Sequence, residues 1–224
     1  MCRRCIEAPE PFDAEFYCVS CRTPFQNAFP LDDKGRCALC RSGLRGFDAA
    51  YAFGAYEGAL RRLIHLFKYG KIRTLARPLG RLLARAMPLD EQFDAIVPVP
   101  LYWRRRMQRG FNQADLLARS LGRGTGIPVV RALRRVQPTA TQAGLSNSAR
   151  RRNVASAFRS RSVAGRRILL IDDVMTTGST ATSCALALKR AGAKRVALLT
   201  VARVDRRMES WRLAASNSEV GGKI

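Results

Sequence analysis

The segment Ile168–Thr180, with the sequence ILLIDDVMTTGST, constrains the fold of this 224-residue chain more than any other feature. It joins four apolar residues, two adjacent acids and a run of small polar residues that contains one glycine. Such an apolar run is typical of a buried strand, and the small residues favour a tight loop that opens a helix. The segment therefore predicts a strand–loop–helix unit of an α/β domain.

The loop of this unit has the composition of a phosphate-binding loop. Its backbone N–H groups and hydroxyls can surround a phosphate, and the positive end of the following helix attracts the same charge. The two acids before it, Asp172 and Asp173, can accept hydrogen bonds from ribose hydroxyls and hold Mg²⁺ through water. The loop lacks the Gly-Lys-Ser/Thr ending of a Walker loop. The predicted phosphate ligands are Thr176, Thr177, Gly178, Ser179 and Thr180.

Apolar strand-length runs alternate with helical patterns along the rest of the chain. We predict strands at 48–56, 94–99, 129–135, 167–171 and 195–202, and helices at 58–69, 75–87, 112–121 and 181–191. Residues 122–128 are predicted to be a loop, and the polar, arginine-rich stretch 138–162 a long, mobile loop. This alternation favours a parallel sheet with helices on its faces.

Six of the seven cysteines form three pairs with two residues between the members of each pair. Cys18, Cys21, Cys37 and Cys40 have the spacing of a four-thiolate zinc site, and a small module with few large apolar residues needs such a site to fold. We predict a structural zinc there. Cys2 and Cys5 would form a second zinc site only with a further pair, and their pairing with Cys18 and Cys21 is a weaker alternative.

The chain resembles the ComF/GntX family, which joins a zinc-ribbon head to a phosphoribosyltransferase-like domain. The resemblance rests on the segments LIHLFKYGK (63–71), VPVPL (97–101), RGFNQA (109–114), TATQAGLSNSARRRNVASAF (139–158) and the phosphate loop. The loop resembles the phosphoribosyl pyrophosphate signature of type I phosphoribosyltransferases. The resemblance implies that fold, a parallel sheet with helices on both faces, in residues 47–205. It also implies a zinc-ribbon module in 1–46, with its first half incomplete, and leaves a weakly ordered tail at 206–224.

Transfer of the ribose would need cations that stabilise the departing pyrophosphate, together with Mg²⁺. Arg109 and Arg150 match family positions and are the predicted catalytic residues, and Lys68 is a third candidate. Each could equally be a solvated surface charge. Enzymes of the resembled class that act on 6-oxopurines carry a further acid where this chain has Thr176, so transfer of that type is not expected.

The net charge of +23 is concentrated in residues 95–224, which contain 25 basic and 6 acidic residues. Such a field favours phosphorylated molecules, nucleic acid or anionic surfaces, although an arginine-rich coding bias would produce the same charge. Arg104, Arg105 and Arg106 beside Trp103 suit single-stranded DNA by phosphate contact and base stacking. Alternatively, Trp103 packs in the core.

Three functions are consistent with these features. The first is a ComF-type competence protein that handles incoming single-stranded DNA in natural transformation, alongside the DNA-uptake machinery, and binds phosphoribosyl pyrophosphate with Mg²⁺. The second is an active phosphoribosyltransferase on an unknown acceptor, and the third is a sensor of phosphoribosyl pyrophosphate. No stretch reaches the roughly 20 apolar residues of a membrane span. The N-terminal residues have no apolar run typical of a secretory signal, so we expect a cytoplasmic protein.

Overall fold

A parallel four-stranded sheet forms the centre of the computed structural model, which describes residues 9–11, 14–25, 28, 31–42, 46–102, 107–136 and 157–204. The strands are β1 (Phe16–Tyr17), β2 (Pro24–Phe25), β3 (Ala49–Ala55), β4 (Ala95–Pro98), β5 (Leu133–Arg135), β6 (Phe158–Ser160), β7 (Arg167–Met175) and β8 (Arg195–Arg203). The central sheet has the order β3-β8-β7-β4, and every neighbouring pair in it is parallel. The pairs β1–β2 and β5–β6 are antiparallel.

The described helices cover both faces of the sheet. They are α1 (Ala38–Arg41), α2 (Gly58–Lys68), α3 (Ala76–Ala86), α4 (Gln113–Thr125) and α5 (Ser179–Arg190), with a 3₁₀ turn at Arg73–Leu75. Helices α2, α3 and α4 pack on the face that contains Leu169 and Ile171 of β7. The cysteine-rich head comprises the described residues 14–25, 28 and 31–42. This head, helix α5 and the β5–β6 pair pack on the face that contains Ile168 and Leu170. Because both faces are covered, β7 needs a continuous apolar run rather than an alternating one.

The predicted architecture of parallel strands flanked by helices is confirmed, and the differences lie at element boundaries. Helix α4 continues to Thr125 instead of ending at Leu121, and Gly126 ends it with a left-handed φ of 74°. A side chain at Gly122 would come within 2.7 Å of Val129 Cγ2, so tertiary packing explains this helical glycine. The predicted loop at 122–128 therefore begins later than expected.

Three further boundaries were wrong because partners remote in sequence decide them. Strand β7 does not stop at Ile171 but continues through both acids to Met175, because β8 pairs with it along this whole length. Residues Phe158–Ser160, which fall in the predicted loop 138–162, pair with β5. The predicted strand 129–135 is divided into a parallel bridge from Val129 to Ile96 and strand β5.

Candidate functional site

The loop between β7 and α5 turns sharply at Gly178, which caps α5 with a left-handed φ of 74°. A side chain is rarely tolerated in this conformation, so the glycine permits the turn. Thr176, Thr177, Ser179 and Thr180 are exposed around it, and Thr177 Oγ1 lies 2.8 Å from Ser179 Oγ. The N-cap residue Gly178 supplies no side-chain hydrogen bond to α5, and the N–H of Ser179 donates over 3.4 Å to Thr177 Oγ1. The first turn of a helix leaves N–H groups without intrahelical partners, and such groups can donate to an anion bound at this loop.

Asp173 forms an ion pair with Lys68, whose Nζ atom lies 3.0 Å from Asp173 Oδ1. The side chains retain only 15% and 12% of their exposure, so this pair is largely shielded from water. Lys68 reaches the acid from the last turn of α2, on a separate part of the chain. A cation and an acid pair therefore meet directly beside the phosphate loop.

Asp172 is the second acid of the site and is half-buried. Loss of surrounding water and then the charge of Asp173 raise the pKa of Asp172 to about 7, against the opposing effect of Lys68 and Arg109. The backbone N–H of Asp173 donates to Asp172 Oδ1 over 2.9 Å, which fixes the orientation of this carboxyl group. A bound cation would remove the repulsion between the two acids.

Arg109 is held next to this acid pair by two neighbours. Its guanidinium lies 5.2 Å from the centre of the Tyr69 ring and donates over 3.4 Å to Gln113 Oε1. Gln113 is buried, and within the described residues its Nε2 atom has no hydrogen-bond partner. Asn112 fixes the start of α4. Its side-chain oxygen accepts a hydrogen bond from Ala114 N–H, and its side-chain nitrogen donates to the Val99 carbonyl at the end of β4. The carboxyl edge of the sheet thus carries two acids, two cations and the phosphate loop.

The raised pKa of Asp172 gives a pH-dependent stability. Between about pH 4 and pH 7 the folded protein retains a proton that the unfolded chain has released, so the free energy of unfolding falls as pH rises. We expect Asp172→Asn to raise the melting temperature of the ligand-free protein by a few degrees at about pH 8, and by less at about pH 5. Thermal unfolding at both pH values checks this. An equal change at both values would contradict the assignment.

Removal of Lys68 is expected to leave Asp173 as an uncompensated charge in a shielded position. We expect Lys68→Met to lower the free energy of unfolding by about 2–3 kcal/mol, somewhat less than the cost of breaking a fully buried pair. The double variant Lys68→Met/Asp173→Asn should recover most of this loss, because the charge that needed a partner is gone. Urea denaturation at neutral pH measures both. Equal losses in the two variants would show that Lys68 acts by packing alone.

The four predicted zinc ligands come together in the head. The Sγ atoms of Cys18, Cys21, Cys37 and Cys40 all lie within 4.8 Å of one another. Cys18 and Cys40 are 3.6 Å apart, and Cys21 and Cys37 are 3.7 Å apart. A tetrahedral site with Zn–S bonds of about 2.3 Å requires sulfur atoms roughly 3.8 Å apart, so the cluster fits one four-coordinate ion. The four thiols could therefore hold a metal such as zinc.

The head touches the strand that leads to the phosphate loop. Arg203 of β8 is buried, lies 4.1 Å from the centre of the Phe25 ring and donates over 3.9 Å to Met175 Sδ. Met175 is the last residue of β7 before the loop. In addition, Ala50 N–H donates to the Cys21 carbonyl over 2.8 Å. The cysteine cluster and the phosphate loop are thus joined through a few packed side chains.

Several predicted residues lie outside the described part of the chain. These are Arg150, Cys2 and Cys5, and the DNA-binding candidates Trp103, Arg104, Arg105 and Arg106. Sequence reasoning missed Tyr69, Gln113 and Arg203 as neighbours of the site. Gln113 is part of the RGFNQA segment and Tyr69 follows Lys68, so both motifs contained a signal, whereas nothing in the sequence marks Arg203.

Comparison with known proteins agrees with this geometry. The family model described as "Phosphoribosyl transferase domain" matches residues 76–217, which include the acids and the phosphate loop. Competence protein F of Haemophilus influenzae is 34% identical over 215 residues, which cover 91% of this chain and 90% of that protein. The chain belongs to the ComF family. Its fold is accordingly the type I phosphoribosyltransferase fold, preceded by a four-cysteine head consistent with a zinc ribbon.

Two other relatives of this ComF-family chain match shorter parts. The DNA utilization protein YhgH of Escherichia coli strain K12 is 42% identical over 149 residues, which cover 63% of this chain and 66% of that protein. Competence protein ComFC of Bacillus subtilis is 36% identical over 95 residues, which cover 41% of this chain and 36% of that protein. No helix in the described residues combines the length and the hydrophobicity that crossing a membrane requires.

Proposed function

We propose that this ComF-family protein handles single-stranded DNA that enters the cell during natural transformation, and that its phosphate loop binds phosphoribosyl pyrophosphate with Mg²⁺. One observation supports this ligand: Asp172 and Asp173 lie at the same edge of the sheet as the start of α5, where Gly178 makes the tight turn into the helix. The acids would receive the ribose hydroxyls and Mg²⁺, while residues 176–180 would receive the 5′-phosphate. Lys68 and Arg109 would face the pyrophosphate group.

The DNA part of the proposal is supported by the relatives and by charge. Competence protein F matches nine-tenths of this chain, and its name and that of YhgH refer to competence and DNA utilization. The chain has a net charge of +23, which attracts a phosphate backbone. We place the protein in the cytoplasm with the DNA-uptake machinery as a partner. One zinc at the four-cysteine cluster would have a structural role.

A deletion strain scored for transformation tests this function. Complementation with the wild-type gene should restore transformation, and the purified protein should bind an oligothymidylate with an affinity that falls steeply with salt. Complementation with Asp172→Asn/Asp173→Asn then reports whether DNA handling needs the ligand. Full transformation in the deletion strain, or an absence of salt-dependent binding, would contradict the proposal.

An active phosphoribosyltransferase is the second candidate function, and one cavity favours it. A cavity of about 280 Å³ lies at the carboxyl end of β4, lined by Pro98, Pro100, Leu101, Phe111, Asn112 and Leu133. Its size suits a small acceptor, and Arg109 directly precedes Gly110 on its wall. Mg²⁺-dependent release of pyrophosphate in the presence of an added base would support this function. Binding without release across a broad acceptor panel would favour a sensor instead.

A further inference from the structure

A groove of about 500 Å³ lies on the outer surface of the helical layer, between α3 and α4. Its floor is the contact between Gly80 and Ser120, where any side chain at position 80 would clash with Ser120 Oγ. The close approach leaves the longer neighbouring side chains as walls. The groove, here called the arginine groove, is lined among others by Arg77, Arg81, Ala84, Ser120, Arg123 and Gly124.

The three arginines of the groove are exposed, and none of the described residues that line it is acidic. Helix α3 contains no acid, and the one acid of α4, Asp115, already forms ion pairs with Arg119 and Arg131. The acids that follow α3 are also paired, Asp90 with Arg22 and Glu91 with Arg195. Among the described residues, the nearby acids therefore already form ion pairs with other arginines, and they do not neutralise the positive charge of the groove.

The arrangement of these arginines suits a chain of phosphates better than a single anion. Arg77 and Arg81 lie about 6 Å apart along one face of α3, and Arg123 stands on the opposite wall. A guanidinium donates two parallel hydrogen bonds to a phosphate. The two walls stand on packed helices whose axes are typically about 8–10 Å apart, so the surface groove above their contact is narrower than a duplex and suits one strand. The described part of the lining contains no aromatic side chain for base stacking.

The groove is separate from the phosphate loop. Helix α4 begins at the carboxyl edge of the sheet, where Asn112 contacts the end of β4. Its groove residues Ser120–Gly124 lie roughly 12 Å or more further along the same helix. The proposed ligand site and the groove can therefore be occupied at the same time.

We propose that the arginine groove binds the sugar–phosphate backbone of single-stranded DNA by phosphate contacts alone, without reading sequence. This inference rests on the proposed function, and it places the DNA contact on a surface that is distinct from the proposed ribose phosphate site. Since each lost phosphate contact on a single strand lowers the slope of log affinity against log salt by about 0.7, the loss of three contacts should lower it by about 2.

The first test compares two triple variants that lose equal charge. Arg77→Gln/Arg81→Gln/Arg123→Gln changes the groove, and Arg61→Gln/Arg62→Gln/Arg166→Gln changes exposed arginines elsewhere. Fluorescence polarisation with a labelled oligothymidylate of about 20 nucleotides, from about 50 to 200 mM salt, measures both. We expect at least a tenfold loss of affinity and a shallower slope in the groove variant, and a much smaller change in the control.

The second test changes charge at one position with no loss of packing. Gly124 lies in α4, and a Cβ atom at this position would have no atom of the described residues within 4 Å. We expect Gly124→Glu to weaken oligothymidylate binding several-fold, and Gly124→Gln, which has the same shape, to leave it unchanged. Competition by an equal length of duplex that matches the single strand would overturn the single-strand assignment.

The outcomes separate this inference from the proposed function. If the groove variant and the control variant both bound the oligothymidylate with wild-type affinity, the groove would not be the DNA site, and the proposed DNA-handling function would still stand. An absence of salt-dependent binding by the wild-type protein would overturn both.

Discussion

Replacement of Cys37 by serine is expected to reduce the zinc content from one ion per chain to nearly none and to unfold the head. Cys37 is buried among three other thiols whose Sγ atoms lie within 4.8 Å of one another. A hydroxyl is a much poorer ligand than a thiolate, and structural zinc in small modules contributes on the order of 10 kcal/mol to their folding. Metal analysis by mass spectrometry and limited proteolysis of residues 14–42 measure the two effects.

The matched control is Cys184→Ser, which also replaces a buried thiol but lies in α5 and is not one of the four clustered thiols. It should keep one zinc ion per chain and a protease-resistant head. Equal loss of metal in both variants would show that the cluster does not hold the ion. Two zinc ions per wild-type chain would instead show that Cys2 and Cys5 take part in a second site.

The double variant Asp172→Asn/Asp173→Asn is expected to weaken binding of Mg²⁺–phosphoribosyl pyrophosphate by at least about 100-fold. Each charge-assisted hydrogen bond contributes roughly 1.5–3 kcal/mol, and 1.4 kcal/mol corresponds to a tenfold change in affinity. The amides can still contact hydroxyls but cannot hold the cation. Isothermal titration calorimetry at about pH 8, where wild-type Asp172 is ionised, measures the loss.

Asp94→Asn is the control for this experiment. Asp94 is exposed at the opposite end of β4, where it pairs with Arg167. The variant removes one carboxylate far from the phosphate loop and should bind the ligand like the wild type. If the double variant also kept its affinity, the acids would not face the ligand, and the proposed site would need a different orientation of the ribose.

The contact between the head and the loop links these two predictions. Phe25, Arg203 and Met175 form a continuous packed path from the head to the last residue before the loop. Loss of the metal should therefore loosen Met175 and weaken ligand binding in Cys37→Ser, although the loop itself is unchanged.

Much of the fold was predictable because its signals are local. The apolar run of β7, the periodic faces of α2 and α3, and the turn at Gly178 depend on a few successive residues. Boundaries were less predictable, because partners remote in sequence decide them. Pairing with β8 carries β7 through the acids, and contact with Val129 explains a helical glycine at position 122. Both effects override local preference.

The sequence by itself determined the kind of site: an acid pair, a phosphate loop and four cysteines with the spacing of a metal centre. Only the tertiary structure decided which residues complete it. The ion pair of Lys68 with Asp173, the contact of Arg203 with Phe25 and the arginine groove all join segments that are remote in sequence. The raised pKa of Asp172 depends on burial by the folded chain. The physical reason is that ligand types follow from side-chain chemistry, whereas distances, burial and charge balance depend on which surfaces meet when the elements pack.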